Sequence, residues 1–304
     1  MMAELGLPEN PFLFEKEDWV YKEKTGTLLK KEVRVYKSLF DEYEIEKEIN
    51  RGAFGVVYRA RDRKSKETVA MKEEVGGGGL LMEIDILKSL PRHPNIVEFK
   101  KVARDGARVF VVMEYLEYDL QRVRAVMEQP FPLSITKTLM REILRGVAFL
   151  HHHGVVHRDL KPANILFGGA NYDLKICDFG LSARLGSRCS AGAGTRWYKA
   201  PEVLGGCRSY TSAIDVWSVG CIMAEFVLDQ PLFQGQSDAH QLACIREVLC
   251  GRTNLLRPLI MSASGAAPLN HAGFHLLGRL LAYHPNNRIS AADALRHPWF
   301  AQQD

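Results

Sequence analysis

The sequence predicts an α+β fold with two lobes, a small lobe built on an antiparallel β-sheet and a larger, mainly helical lobe. Three observations predict it. Short segments rich in β-branched and aromatic residues recur between residues 43 and 113, with turn sequences between them. After Leu116 the apolar residues follow helical spacing instead. The chain of 304 residues is long enough for two lobes with a cleft between them.

Five segments are predicted to form the sheet of the small lobe. In chain order they read YEIEKEI, GVVYRARD, TVAMKEE, IVEFKKVA and RVFVVMEY. One helix, over residues 80–90, interrupts them, because its apolar residues recur at helical spacing. Residues 1–42 are mixed and charged without a sustained period, so we interpret them as an N-terminal extension.

The larger lobe is predicted to be built on helices. Residues 135–150 carry one apolar stripe, and residues 211–228 are apolar on nearly all sides, which predicts a buried helix. A last short helix is expected near residues 291–296. The predicted organisation is an extension (1–42), a small lobe (43–116), a larger lobe (117–300) and a tail (301–304).

Composition excludes several classes of function. Apolar residues at 46% and charged residues at 25% are ordinary for a globular protein, and a net charge of +4 gives no case for nucleic-acid binding. Six cysteines without a CxxC pair predict free thiols. The N-terminus does not resemble a signal peptide, and the apolar stretches are too short to span a bilayer. We expect a soluble intracellular protein, cytoplasmic, nuclear or both, that binds neither nucleic acid nor membranes.

The string HRDLKPAN, followed fourteen residues later by DFG, supplies the groups that phosphoryl transfer needs. Asp159 is a candidate base for a hydroxyl, and Lys161 is a cation for a phosphate. Asn164 and Asp178 offer two oxygen ligands for Mg²⁺. This reaction depends mostly on positioning and charge neutralisation, which is why a few such groups suffice.

These two strings, with APE downstream in the right order, resemble the protein kinase family over about residues 43–300. The resemblance implies the two-lobed protein kinase fold, ATP and Mg²⁺ as cofactors, and protein hydroxyls as acceptors. Lys161 stands two residues after the candidate base, as in Ser/Thr kinases, whereas tyrosine kinases usually lack a lysine there. The resemblance is therefore to a Ser/Thr kinase.

The segment NRGAFGVV lies where the glycine-rich loop of kinases is expected, and Lys72 of VAMK follows fifteen residues past Val57. Glycines there let backbone amides approach the ATP phosphates without a Cβ in the way. Asn50 takes the place of the first glycine, so we expect weaker nucleotide binding and not its loss. The resemblance assigns ATP binding in this region to Asn50, Gly52, Ala53, Phe54, Gly55, Val57, Ala70 and Lys72.

Lys72 requires a carboxylate to hold it extended, and Glu83 in the predicted helix is the candidate. Only eleven residues separate the two, and the glycine run Gly76 to Gly79 fills much of the gap. The helix therefore starts late, after a connection that costs ordering entropy.

The string MEYL follows an apolar strand and resembles the kinase hinge. The resemblance implies that backbone groups of Glu114 and Leu116 bond adenine, with Met113 guarding the pocket behind it. It also implies that Asp119 lies at the ribose edge of the nucleotide.

Three further expectations concern support of the site. The resemblance implies that His157 packs beneath Phe179 and that Asp215 anchors the catalytic loop through backbone amides. It also implies an ion pair between Glu202 and Arg288.

The strings TRWYKAPE and HPWF resemble the cyclin-dependent kinase group, with a divergent plant member as one candidate. Counting back from Thr195 gives Ser190 the position of the activating phosphothreonine. A phosphate needs several cations, and Arg158 is kept. Met82 replaces a second arginine, and a third is shifted to Arg184. An activating phosphoserine and an ordinary exposed loop serine both stay open.

Substrate preference and partners also stay open. Lys199 stands where the group usually has an arginine that favours proline after the target residue, and lysine lacks the bidentate fork. Gly194 could adopt positive φ, which partly compensates. The group implies protein substrates and a cyclin or other activating subunit. The cyclin-docking helix motif is replaced here by the glycine run and LLMEIDIL, so cyclin dependence does not follow.

Two functions therefore remain. The first is an active Ser/Thr protein kinase that uses Mg-ATP. The second is a pseudokinase scaffold with impaired catalysis, favoured by Asn50, the short glycine connection and the depleted cation pocket. The intact set of five catalytic groups opposes the second, because a scaffold has no chemical need for them. That set is Lys72, Asp159, Lys161, Asn164 and Asp178.

Overall fold

The computed structural model describes most of the chain from residue 39 onward. The residues described in full are 39–52, 55–74, 79–127, 130–168, 173–187, 192–208, 211–251, 254–262 and 269–302, and two earlier strands are described by their backbone. The chain divides into two compact units, Met1–Gly77 with Lys100–Glu114, and Gly78–Phe99 with Tyr115–Asp304. The predicted lobe boundaries stay predictions.

The first unit contains seven strands and one short helix among its described residues. They are β1 (Trp19–Lys22), β2 (Thr27–Lys30), α1 (Leu39–Glu42), β3 (Tyr43–Gly52), β4 (Gly55–Asp62), β5 (Thr68–Glu73), β6 (Phe99–Asp105, whose first residue belongs to the second unit) and β7 (Arg108–Glu114). Five of the strands form a sheet in the order β3-β4-β5-β7-β6. Strands β3, β4, β5 and β7 pair antiparallel in succession, and β1 pairs separately with β2. The five predicted strands and the α+β class are confirmed.

One face of this sheet forms a compact apolar core. Alternate residues of a strand point to the same face, which brings side chains of neighbouring strands together. The buried cluster consists of Leu39, Tyr43, Ala60, Val69, Met71, Phe110 and Val112. Lys72 follows Met71 and lies opposite Val57 and Val111 in the register, so neighbouring strands flank it on both sides.

The second unit is mainly helical. Its helices are α2 (Gly79–Ser89), α3 (Leu120–Val126), α4 (Leu133–His152), α5 (Pro201–Leu204), α6 (Ala213–Leu228), α7 (Asp238–Cys250), α8 (Leu256–Met261), α9 (His271–Leu280) and α10 (Ala291–Leu295). Its short strands are β8 (Tyr118–Asp119), β9 (Val155–Val156), β10 (Ile165–Gly168), β11 (Asp173–Ile176) and β12 (Ala183–Arg184). The helices predicted at 80–90, 135–150, 211–228 and 291–296 are confirmed as α2, α4, α6 and α10.

Helix α6 lies at the centre of this unit. Nearly every residue from Ile214 to Val227 is buried, as its uniformly apolar sequence predicts. A Cβ at Gly220 would lie 2.8 Å from the Leu281 side chain, so the glycine permits close packing there. Among the described residues, no helix combines the length and apolar character needed to cross a membrane.

Candidate active site

The loop between β9 and β10 is fixed by one buried carboxylate. Asp215, in the first turn of α6, is fully buried; its Oδ2 accepts from the His157 amide at 2.8 Å, and its Oδ1 from the Arg158 amide at 2.9 Å. His151 Nε2 lies 2.9 Å from Oδ2. Arg158 has φ of +72°, a strained conformation for a residue other than glycine. The carboxylate therefore stabilises the turn that presents Asp159, and the predicted anchor is confirmed.

The environment of Asp215 also sets its charge state. Burial raises the pKa of this carboxyl, but the hydrogen bond and charge of His151, the charge of His157 and the Arg158 amide lower it more. The pKa of Asp215 therefore lies below its ordinary value. The anchor is a carboxylate wherever the protein is folded at neutral pH.

Three side chains converge on the candidate base. Asp159 is 7% exposed, and its Oδ1 accepts from both the amide and the Oγ1 of Thr195, each at 2.7 Å. Its Oδ2 accepts from Lys161 Nζ at 2.9 Å and from Asn164 Nδ2 at 3.2 Å. Lys161 Nζ also donates to Thr195 Oγ1 at 2.8 Å. The structure therefore brings Asp159, Lys161 and Asn164 together.

Sequence reasoning missed Thr195 as a member of this cluster. It lies 36 residues after Asp159, and no spacing rule connects a loop hydroxyl to a base at that distance. Its position at the start of TRWYKAPE was the only available signal. The contact exists because Gly194 has φ of +100°, and a Cβ there would lie 2.5 Å from the Arg158 carbonyl oxygen. Only glycine fits this approach.

The two candidate metal ligands lie at the same end of the β10–β11 pair. Asn164 immediately precedes Ile165, which pairs with Ile176, and Asp178 follows two residues later. The Cys177 amide donates to the Asn164 carbonyl at 3.0 Å, which continues the pairing. Asp178 has φ of +64°, so the chain turns sharply at the candidate ligand.

This donor set fits Mg²⁺. The Asn164 amide nitrogen is committed to Asp159, at 2.8 Å to its carbonyl oxygen, which leaves the amide oxygen for a metal. One amide oxygen and one carboxylate suit an ion that takes few protein ligands and completes its shell with phosphates and water. No group of three or more His, Cys, Asp or Glu side chains suited to a metal occurs in the described part of the chain.

The DFG segment packs within the second unit and is contacted there by His157 and Glu83. Phe179 is fully buried, with its ring 5.1 Å from the His157 ring in an edge-to-face contact, so the predicted packing is confirmed. His157 Nε2 lies 2.9 Å from the Cys177 carbonyl oxygen. The Phe179 amide donates to Glu83 Oε1 at 3.2 Å. Glu83 is fully buried on α2, and its pairing with Lys72 stays a prediction.

In the first unit, one glycine of the candidate phosphate loop is required by packing. Gly55 has φ of +145°, and a Cβ there would lie 2.0 Å from the Glu73 carbonyl oxygen. A Cβ at Gly52 would meet nothing within 4 Å, so the space beside the Gly52 backbone is open to a ligand. Lys72 on β5 is 6% exposed. Ala53 and Phe54 lie outside the described residues.

The residues predicted to form the hinge and the ribose edge differ in their burial and in their hydrogen bonds. Met113 and Leu116 are buried, and their place in an adenine pocket stays a prediction. Asp119 caps α3, because its Oδ1 accepts from the Arg122 amide at 2.8 Å, and the Arg122 guanidinium lies 3.2 Å from Oδ2. Its carboxylate therefore has a structural role, and contact with a ribose stays a prediction.

The predicted support and phosphosite residues can be placed in part. Glu202 and Arg288 form a bidentate pair at 2.6 and 2.7 Å, which confirms the expected ion pair. Arg184, expected to bind a phosphate, donates to Ser89 Oγ at the end of α2. Ser190 lies outside the described residues, and its phosphorylation stays a prediction.

Comparison with known proteins gives one consistent result. Residues 43–300 match the model of the protein kinase domain. Cyclin-dependent kinase G-2 of Oryza sativa subsp. indica is 43% identical over 298 residues, covering 86% of this chain and 42% of the relative. Putative cyclin-dependent kinase F-2 of Oryza sativa subsp. japonica is 40% identical over 301 residues, covering 87% and 91%. Serine/threonine-protein kinase ppk23 of Schizosaccharomyces pombe is 38% identical over 290 residues, covering 86% and 72%. The chain thus spans less than half the length of the G-type relative.

Proposed function

Because this chain belongs to the protein kinase family, as a Ser/Thr kinase domain of the cyclin-dependent-kinase-like type, we propose that it transfers the γ-phosphate of Mg-ATP to protein Ser and Thr hydroxyls. The observation that carries the proposal is the arrangement around Asp159. A buried carboxylate bonded by Lys161, Asn164 and Thr195 is what a positioned base requires.

The chain's own residues perform the proposed reaction by positioning. Each Asp159 oxygen already accepts two hydrogen bonds, so the carboxylate accepts a substrate hydroxyl by exchanging one of these protein contacts for it. The substrate oxygen bonds to the γ-phosphorus, the bond to the bridging oxygen breaks, ADP leaves, and Asp159 accepts the hydroxyl proton. Lys161 lies 2.9 Å from Asp159, where its charge stabilises the transferring phosphate. Mg²⁺, held by Asn164 and Asp178, would supply neutralisation of the phosphate charges when bound.

The remaining assignments concern ATP. Lys72 is proposed to hold the α- and β-phosphates with Glu83 orienting it, and the loop around Gly55 to cover the phosphates. The hinge backbone at Glu114 and Leu116 is proposed to bind adenine. Support comes from the burial of Lys72 and Glu83, at 6% and 0% exposed. Lys72 carries a positive charge, and the anionic triphosphate is a suitable partner for it.

Partners and location are proposed from the relatives. Several relatives are named as cyclin-dependent kinases, so we propose a cyclin or similar activating subunit and protein substrates, inside the cell. Leu81 and Met82 on α2 are 65% and 46% exposed, which leaves apolar surface for such a subunit. An activity that does not change when a cyclin is added would contradict this partner.

The pseudokinase alternative receives no support from the described residues. The sequence arguments for it were Asn50, the short glycine connection and the depleted cation pocket. The groups around Asp159 nevertheless lie in contact, as catalysis requires. A scaffold would not need this geometry.

The test measures transfer of labelled γ-phosphate to a generic basic protein. Wild type should transfer it, whereas Asp159→Asn and Asp178→Asn should each lose about 100-fold or more. Asp173→Asn, at an exposed position on β11, is the matched control and should retain wild-type activity. Equal background in all four proteins would overturn the proposed function.

A further inference from the structure

The start of helix α7 carries a carboxylate that faces two cations of the segment before APE. Asp238 is the first residue of α7, behind the N-cap Ser237. Its Oδ1 accepts from Arg196 Nε at 3.0 Å, and its Oδ2 lies 3.6 Å from Lys199 Nζ. An acidic residue is favoured at this end of a helix, so its charge is well placed. No sequence motif pointed to Asp238.

Lys199 in turn reaches back along the chain. Its side chain is only 9% exposed, and Nζ donates to the Gly192 carbonyl at 2.6 Å. A nearly buried ammonium is costly unless carbonyls and carboxylates surround it. The Gly192 carbonyl and the Asp238 carboxylate are therefore the groups that stabilise Lys199 in this position.

The segment that Lys199 holds ends at the candidate base. Gly192 lies three residues before Thr195, whose amide and hydroxyl both bond Asp159. Between them Gly194 has φ of +100°, which fixes the path of this short segment. A continuous series of contacts therefore runs from Asp238 through Lys199 and Gly192 to Thr195 and the base.

An uncharged side chain also attaches the segment before APE to α7, without help from Asp238. Gln241, one turn further along α7, is fully buried and donates to the Trp197 carbonyl at 3.2 Å and to the Phe233 carbonyl at 3.3 Å. The Gly235 amide donates to its Oε1 at 2.7 Å. The 3₁₀ turn Arg196–Tyr198 would thus stay attached to α7 without Asp238. Loss of the Asp238 charge should affect where Lys199 points and leave the fold intact.

We propose that Asp238 is a positioning residue for the protein acceptor, acting through Lys199 on residues 192–195. This inference rests on the proposed function. Thr195, the last of those residues, is bonded to the base, so the segment lies beside the place where the reacting hydroxyl would bind. ATP is proposed to be bound by other groups. The effect of Asp238 therefore falls on the acceptor peptide and not on the nucleotide.

The experiment separates kcat and KM for a Ser-containing peptide from those for ATP. Asp238→Asn should lower kcat/KM for the peptide about 5-fold, chiefly through KM, with KM for ATP unchanged. Asp238→Glu should return the peptide value to within about twofold of wild type. Glu247→Gln, an exposed acidic position on the same helix, is the control and should match wild type.

A second variant tests the route through Lys199. Lys199→Met should impair peptide kinetics at least as much as Asp238→Asn, and the double variant should be no worse than Lys199→Met alone. Additive losses, equal changes for ATP and peptide, or a wild-type peptide KM in Asp238→Asn would each overturn the inference. If wild type itself transfers no phosphate, the proposed function fails instead, so the two failures are distinguishable.

Discussion

Two bidentate arginine–glutamate pairs, one in each unit, have the same geometry in different surroundings. Arg108 bonds Glu73 at 2.6 and 2.7 Å in the sheet unit, and Arg288 bonds Glu202 at 2.6 and 2.7 Å in the helical unit. Each guanidinium also lies 5.0 Å from an aromatic ring, that of Phe110 or Trp217. Geometry alone does not distinguish the pairs.

Burial and further partners do distinguish them. The Arg108 side chain is 43% exposed, whereas that of Arg288 is fully buried. Arg288 also donates to three carbonyl oxygens, those of Ala213, Ala282 and Tyr283. An exposed pair is screened by solvent, while removing one partner of a buried pair leaves a charge without compensation. Ion pairs with equal distances can therefore differ widely in the free energy that their disruption costs.

The largest effect is expected from Arg288→Met, which leaves Glu202 and three carbonyls without their donor. Unfolding should become easier by about 3–5 kcal/mol. Urea unfolding followed by tryptophan fluorescence reports on this unit, because Trp217 lies beneath the guanidinium. Arg296→Gln, whose side chain is 73% exposed, is the control and should change little. A loss below about 1 kcal/mol would show that burial does not set the difference.

Asp215→Asn tests whether a buried charge without an arginine behaves in the same way. The amide keeps the shape but can accept less well from two backbone N–H groups and His151. We expect a loss of about 1–3 kcal/mol, measured by the same unfolding assay. An unchanged urea midpoint of unfolding would mean that other contacts hold the loop between β9 and β10.

The acid dependence of stability sharpens this result. The folded pKa of Asp215 is lowered, so its contribution to stability is present above the unfolded pKa of about 4 and is lost as pH falls further. Wild type should therefore lose more stability than Asp215→Asn between about pH 4 and pH 2. If the two proteins lost equal stability over this pH range, the lowered pKa of Asp215 would be contradicted.

Arg108→Gln should produce a much smaller change. The exposed guanidinium returns to water at little cost, so the expected loss is about 0.2–1 kcal/mol. Hydrogen exchange of the β5 and β7 amides measures it within the sheet unit. A loss as large as that of Arg288→Met would break the comparison.

The two ion pairs should also differ in how strongly salt weakens their coupling energies. A double-mutant cycle of Arg108→Gln with Glu73→Gln should give a coupling energy that falls towards zero in 1 M salt, where the Debye length is about 3 Å. The cycle of Arg288→Met with Glu202→Gln should keep most of its coupling. Equal salt sensitivity in the two cycles would place both pairs in the same dielectric environment.

The sequence predicted these two regions unequally. Strand and helix positions followed from apolar periodicity, and the pair of Glu202 with Arg288 followed from the family resemblance. Nothing in the sequence pointed to Arg108 with Glu73 or to the Ser89 contact of Arg184. Such contacts depend on how elements far apart in the chain are placed, which periodicity does not report.

By itself the sequence determined the fold class, the family and the identity of the groups that would do the chemistry, because motif strings and periodicity are local properties. The hydrogen bond from Thr195 to Asp159 and the approach of Asp238 to Lys199 became visible only in the tertiary structure. The tertiary structure also established the complete burial of Asp215, whose bonds to backbone amides the family resemblance had already implied. The physical reason is that hydrogen bonds and ion pairs depend on distance and burial, and residues 36 to 58 positions apart acquire these only when the chain folds.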